Sequence, residues 1–413
     1  MFCISALNTF LTMTPSEQPT RHLGVLTLHY GYNEGAILQA MALTCLLEDV
    51  VKGANAGIID HRYPGKVDCY GPPNDPRKRA LAAAIDTWLP LSQFHSDDPQ
   101  GQLVSHFCKN HLDGLVIGSD VVWELCYTRR LRRLLGRGIL PRQINPFFPS
   151  FPNVYWPDNS VACPRVAYAA CCGNLLSGDI PRSHRRKMAE ILEGFAGIGV
   201  RDERTRELVA TLAPELGRRA ELVPDPTIAF NLFGRFDGST VEQKLCESGV
   251  CQERPKALLI MSESPLAFAA ACELKRKGYQ VVATGKHGGM TDVNLLDVGL
   301  SPLEWAWMPR YFGLCVTERM HATIFCLLNR TPFLALDMNT RFQNSPTKLE
   351  ELIDQMGLAD CCLNQQGLNE ADMIGAINRT ESWDYAWPHI EALLDQKRNV
   401  ARSFLERSLA CLT

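Results

Sequence analysis

The chain has 413 residues, with 42 Lys and Arg against 45 Asp and Glu and a formal charge of −3. That balance excludes a partner held by bulk electrostatics, such as nucleic acid, so any anion bound here must be met by local geometry. At 46% hydrophobic and 21% charged the composition excludes disorder as a main theme, and the length makes two globular domains the expectation.

Residues 1–20 read as a disordered leader, because they lack the basic start and apolar run of a secretory signal. No later stretch offers about 18 uninterrupted apolar residues. A cytoplasmic location is the expectation, with at most peripheral membrane contact. The sixteen cysteines contain no CxxC pair, and several, such as Cys315 and Cys326, sit in apolar runs. They read as small packing residues of a reduced chain, and no metal site is expected.

From residue 21 short β-rich runs alternate with longer helical ones. Strands are expected at 22–27, 57–60, 114–117, 165–170, 195–200 and 220–223, with helices at 35–47, 182–193 and 204–213. The pattern falters over 231–254 and resumes with strands at 256–261, 280–283, 313–317 and 333–336, and helices at 266–277, 302–311 and 322–329. This βαβ rhythm implies parallel, doubly wound sheets. The expected layout is a first Rossmann-like domain over 21–240, a second over 241–385, and a last helix within 386–413 that packs back on the first. Residues 126–163 fit no regular element: a basic half (Arg129, Arg130, Arg132, Arg133, Arg137, Arg142) precedes a Pro- and aromatic-rich half. They read either as a loop bordering a site or as a solvated basic helix and packed loop.

Four strand-to-helix turns carry unusual polar content. The first, Tyr30 to Gly35, opens a helix through Asn33 and Gly35, with Gln39 one turn on. Such a turn suits an anion or polar ligand group, or is simply a cap. The second holds Ser119, Asp120 and Trp123, where a polar cap and a flat apolar face are alternatives. The third places Arg201 at the end of a strand, where a cation is hard to justify by stability. The fourth sets Arg319 beside His321, a bidentate anion fork next to the side chain best matched to proton transfer near neutral pH. P-loop, dinucleotide-fingerprint, nucleophile-elbow and HExxH motifs are absent.

Taken in order, the segments Asn33 to Gln39, Gly118 to Trp123, Ala167 to Gly173, Arg201-Asp202, Asp225-Pro226, Arg319 to His321 and Pro332-Phe333 resemble the polysaccharide pyruvyl transferase family over about residues 23–358. The resemblance implies an α/β fold of two Rossmann-like domains facing a cleft, similar to the GT-B glycosyltransferases. It implies phosphoenolpyruvate (PEP) as donor, held by Arg201 and Arg319, with His321 as the catalytic acid, and it puts the acceptor on the side of the first domain and PEP on the side of the second. The acceptor would be a sugar, an oligosaccharide or a lipid-linked glycan, with Asn33, Gly35, Gln39, Ser119, Asp120 and Trp123 on the acceptor side or its loops. No cofactor is implied beyond PEP as co-substrate. Val121, Glu124 and Cys171-Cys172 depart from the family's usual residues. A GT-B-like glycosyltransferase using a nucleotide sugar, with Glu304 or Asp292 on the ribose, and a catalytically silent sugar-binding relative remain the alternatives.

Overall fold

The computed structural model describes residues 21–64, 67, 72–125, 149–234, 236–251, 253–285, 287, 289–338, 346–364, 367–383 and 385–412. The proposed leader and the basic half of the insertion with its six arginines lie outside the described residues.

Two parallel sheets organise the chain. The first takes β1 (Arg21–Leu26), β2 (Ala54–His61), β3 (Leu91–Ser96), β4 (Gly114–Ile117), β5 (Arg165–Ala170), β6 (Gly197–Val200) and β7 (Ala220–Leu222) in the order β3-β2-β1-β4-β5-β6-β7. The second takes β8 (Lys256–Ile260), β9 (Gln280–Ala283), β10 (Val293–Asn294), β11 (Leu314–Thr317), β12 (Phe333–Asp337) and β13 (Cys362–Asn364) in the order β10-β9-β8-β11-β12-β13. All strand pairs are parallel. In each sheet the order reverses once, between β1 and β4 and between β8 and β11, and crevices for ligands open at such switch points.

The sequence missed β3, β10 and β13, each short or polar, and the helices Pro76–Trp88, Gln102–His111, Ser239–Glu247, Lys348–Asp354 and Glu370–Arg379. The polar stretch after residue 231 carries one of them. Its buried side is only Val241 and Leu245, too thin a stripe to register as a period.

The helix that joins the two halves is α1 (Glu34–Val50). Asn33 caps it, its side chain accepting from the backbone N–H of Gly35 (3.0 Å) and Ala36 (3.3 Å). The helix is apolar nearly all round because it serves two cores. Ile37, Ala40, Leu43 and Leu47 pack with Leu23, Val25 and Ile58 of the first sheet. Leu38 instead enters the apolar cluster of the second half, with Trp305 and Phe325. Each fully buried Leu or Ile contributes about 1.5–3 kcal/mol. The C-terminal helix Trp387–Ser408 lies across β6, where a Cβ on Gly197 would strike Ser408 Oγ at 2.1 Å. Among the described residues no helix is long and apolar enough to cross a membrane.

Candidate active site at the domain junction

The turns singled out in the sequence do not all reach open space. Gln39 and Ser119 are completely buried and hydrogen-bonded to each other, Ser119 Oγ donating to Gln39 Oε1. Gln39 Nε2 donates to Thr27 Oγ1 at 2.9 Å, and Thr27 Oγ1 donates to Ser119 O at 3.2 Å. This closed network ties α1 to the ends of β1 and β4, so both side chains hold the switch point and present nothing to an acceptor. Trp123 is likewise enclosed, stacked on Trp156 at 5.0 Å. The open apolar face expected of it is absent, because the second half of the insertion folds over it and makes it core. Asn33 spends its side-chain oxygen on the α1 cap, while its exposed end lines a cavity.

Gly118 brings the chain into this turn at φ +123°, where a Cβ would meet Tyr168 O at 2.1 Å, so only glycine fits. Asp120 follows with φ +74°, an unusual conformation for a residue with a Cβ. That backbone aims its carboxylate at Arg201 Nη2, 3.4 Å away.

Arg201 is the centre of the arrangement. Its side chain is 2% exposed, and Nη1 donates to Asp225 Oδ2 at 3.2 Å. Burial alone works against its charge, but the carboxylates of Asp120, Asp225 and Asp202 around it hold the guanidinium firmly protonated. Asp225 caps the short helix Pro226–Ala229, accepting from Thr227 N (3.1 Å) and Thr227 Oγ1 (2.7 Å). Its carboxyl is fully buried, and although burial opposes ionisation, His321, Arg201 and Thr227 hold it well below the usual carboxylate range.

His321 reaches this cluster from the other sheet. It lies in the first turn of the helix Met320–Asn329, which follows β11, and its Nε2 stands 3.5 Å from Asp225 Oδ2. The ring leans on Phe325 and abuts α1 so closely that a Cβ on Gly35 would fall 2.2 Å from its Cγ and Nδ1. The structure thus brings Arg201, Asp120, His321 and Gly35 together across the two halves, with Asp225, which sequence reasoning had noted only as part of a motif, between them. Arg319 is exposed and makes no ion pair among the described residues.

Two cavities meet at the Arg201–Asp120 pair. The larger, about 260 Å³, is lined by Arg201, Asp225, Met320, Lys348, Glu351 and Lys397 among others. The smaller, about 190 Å³, is lined by Leu28, Tyr30, Asn33, Asp120, Val121 and Lys348. Lys348 borders both, half-buried at the start of the helix Lys348–Asp354, and its ammonium has no ion pair among the described residues. Sequence reasoning missed it together with its helix, which lies beyond the strand expected at 333–336. The charge balance follows from these contacts. Arg201 is consumed by two aspartates, whereas Lys348 and Arg319 make no ion pair among the described residues.

Other candidates are occupied elsewhere. Glu304 caps its own helix and pairs with Lys244 at 2.7 Å, and Asp292 pairs with Lys275 and accepts from Val281 N, so neither is open to a ribose. Burial pushes the Cys171 thiol up to about 11, which makes it inert near neutral pH.

A search of curated proteins found no match. Among solved structures the chain is similar to UDP-GlcNAc 2-epimerase from Methanocaldococcus jannaschii, with 10% identity, coverage of 93% of this chain and 99% of that one, and a TM-score of 0.51. It is also similar to a glycosyltransferase from Rickettsia africae, with 9% identity, coverage of 96% and 98%, and a TM-score of 0.50. At such identities the likeness concerns the fold, two Rossmann-like domains in the GT-B manner. The family model for polysaccharide pyruvyl transferase matches residues 33–340, a span that holds Asp120, Arg201, Asp225 and His321, and the chain therefore belongs to that family.

Proposed function

We propose that this protein transfers the pyruvyl group of PEP to two hydroxyls of a sugar, forming a pyruvate ketal and releasing phosphate. The observation that carries the reading is the imidazole of His321, held 3.5 Å from Asp225, which lines the larger cavity together with Arg201 and with Lys348, a cation that has no ion pair among the described residues. A donor with a phosphate and a carboxylate needs such cations, and an enol needs a proton donor as C2 gains positive character.

The larger cavity suits the donor, since Lys348 and Lys397 border it and Met320 places the His321 helix on its wall. Arg319 stands two residues before His321 and supplies a second anion contact from the same turn. The smaller cavity, with Tyr30, Asn33 and Asp120 on its wall, has the polar rim that a sugar acceptor requires. Arg201 separates the two and holds both aspartates in place. His321 gives a proton to C3, which becomes a methyl group, and the first acceptor hydroxyl adds at C2. Its proton returns to the imidazole. Phosphate then leaves C2 as the second hydroxyl closes the ketal, taking that hydroxyl's proton with it.

The test is incubation with PEP and a panel of glycosides, reading phosphate release and product mass. Phosphate release that depends on a glycoside, with a product carrying the ketal, supports pyruvyl transfer; turnover only with a nucleotide sugar refutes it. Lys348→Ala should weaken PEP binding about tenfold or more while the fold persists, and Lys348→Arg should restore much of it. Unchanged PEP affinity in Lys348→Ala would remove the lysine from the donor site.

A further inference from the structure

His321 has two ring nitrogens, and the fold treats them differently. Nε2 is buried, has no hydrogen-bond partner among the described residues, and faces Asp225 Oδ2 at 3.5 Å. That distance is long for a hydrogen bond but short for two groups of like polarity. Asp225 is fully buried, its other oxygen takes both Thr227 donors, and Oδ2 also receives Arg201 Nη1. With Arg201 beside it the carboxyl stays ionised. A bare lone pair on Nε2 would then point at a carboxylate and be repelled, whereas an N–H there is attracted.

We propose that Asp225 is a positioning residue that fixes His321 with its hydrogen on Nε2, so that Nδ1 is the atom that exchanges protons with substrate. The proposal rests on the pyruvyl-transfer reading only for what receives the proton; the tautomer rests on geometry alone. In the step itself the Nδ1–H bond of the imidazolium breaks as the C2–C3 π pair forms a C3–H bond. The neutral ring keeps Nε2–H, and its bare Nδ1 takes the proton of the hydroxyl that adds at C2. One nitrogen serves as acid and then as base, and Asp225 stays ionised throughout.

The surroundings fit this division. On the α1 side a Cβ on Gly35 would fall 2.2 Å from Cγ and Nδ1, and from its own helix Phe325 supports one face. The charged groups arrayed about the ring are Asp225 directly, Arg201 and Asp120 behind it, and Lys348 on the cavity wall. Arg201 thus has a second consequence: with its charge in place, Asp225 does not itself capture the imidazole proton.

Nitrogen-15 NMR of the full chain labelled at histidine tests the tautomer without substrate. The His321 signals are assigned by their loss in His321→Gln. Above the transition that deprotonates the ring, the expected spectrum shows a protonated Nε2 and a bare Nδ1; a protonated Nδ1 with a bare Nε2 overturns the proposal. For function, Asp225→Asn should lower kcat roughly tenfold or more with KM for PEP little changed, because the ring is no longer held with its proton on Nε2, and Asp225→Glu should restore part of kcat. A rise in KM that accounts for the loss, with no rescue by glutamate, would mean a purely structural role and refute the assignment. Should Asp225→Asn fail to fold, the wild-type spectrum still decides, and should no glycoside accept pyruvate, the spectrum separates failure of the activity from failure of the tautomer.

Discussion

Gly35→Ala is the sharpest perturbation the structure offers, because two ordinary effects of the substitution have opposite signs. Position 35 lies in the first turn of α1 with no left-handed backbone to protect, so helix propensity favours alanine by about 1 kcal/mol. Against that, the new methyl would sit 2.2 Å from Cγ and Nδ1 of His321, where ordinary contact begins near 3.4 Å. The imidazole must therefore retreat by 3.4 − 2.2, about 1.2 Å. It stands on a helix of the second half, so either the ring leaves its rotamer or the two halves separate. Overpacking of this kind costs about 1–3 kcal/mol and should outweigh the propensity gain, lowering Tm. A displacement of about 1 Å in a proton donor costs on the order of 10²-fold in rate.

The assay is phosphate release from PEP with an accepting glycoside, alongside thermal unfolding. The decisive comparison is the double-mutant cycle with His321→Ala, which removes the ring the methyl strikes. Gly35→Ala should destabilise the wild type and be neutral or stabilising in the His321→Ala background, a coupling of about 1 kcal/mol or more. Gly35→Ala with wild-type kcat and raised Tm would refute the placement of His321 against α1.

Two further predictions concern stability. Trp123→Ala should cost about 3–5 kcal/mol and lower Tm strongly, since it empties a stacked core site; an effect confined to acceptor KM would contradict the burial of the indole. His61 is buried at the end of β2, its Nδ1 without a hydrogen-bond partner among the described residues, and burial lowers its pKa to about 4. Between the unfolded value near 6.5 and about 4 the unfolded chain binds the extra proton, so this group's contribution is complete above pH 6.5 and is lost as pH falls to 4. His61→Gln should flatten that part of the stability curve measured by urea unfolding, and an unchanged slope would show that other groups carry it.

The parallel α/β architecture was legible because buried parallel strands announce themselves as apolar runs. Strands such as Gly114–Ile117 and Arg165–Ala170 and the helix Arg182–Glu193 lie where the pattern puts them. Elements of low contrast were not legible: Leu91–Ser96 is a half-polar edge strand, and Ser239–Glu247 buries only two side chains. At the site, motif order marked Arg201, Arg319 and His321, yet the same motifs mixed residues facing the cleft with residues facing the core. Gln39, Ser119 and Trp123 sit in the right turns and point inward.

The sequence by itself determined the family, the fold class and the turns at which chemistry is placed, since these depend on local pattern and on order along the chain. The tertiary structure decided which side chains are free. Arg201 stands 81 residues from Asp120 and 24 from Asp225, and only folding brings both carboxylates onto it and consumes its charge. Lys348 gains its place for the converse reason: it shares these cavities with Asp225, Glu351 and Asp120, yet among the described residues no carboxylate forms an ion pair with it. Ion pairing falls off with distance in space, and separation along the chain says little about that distance.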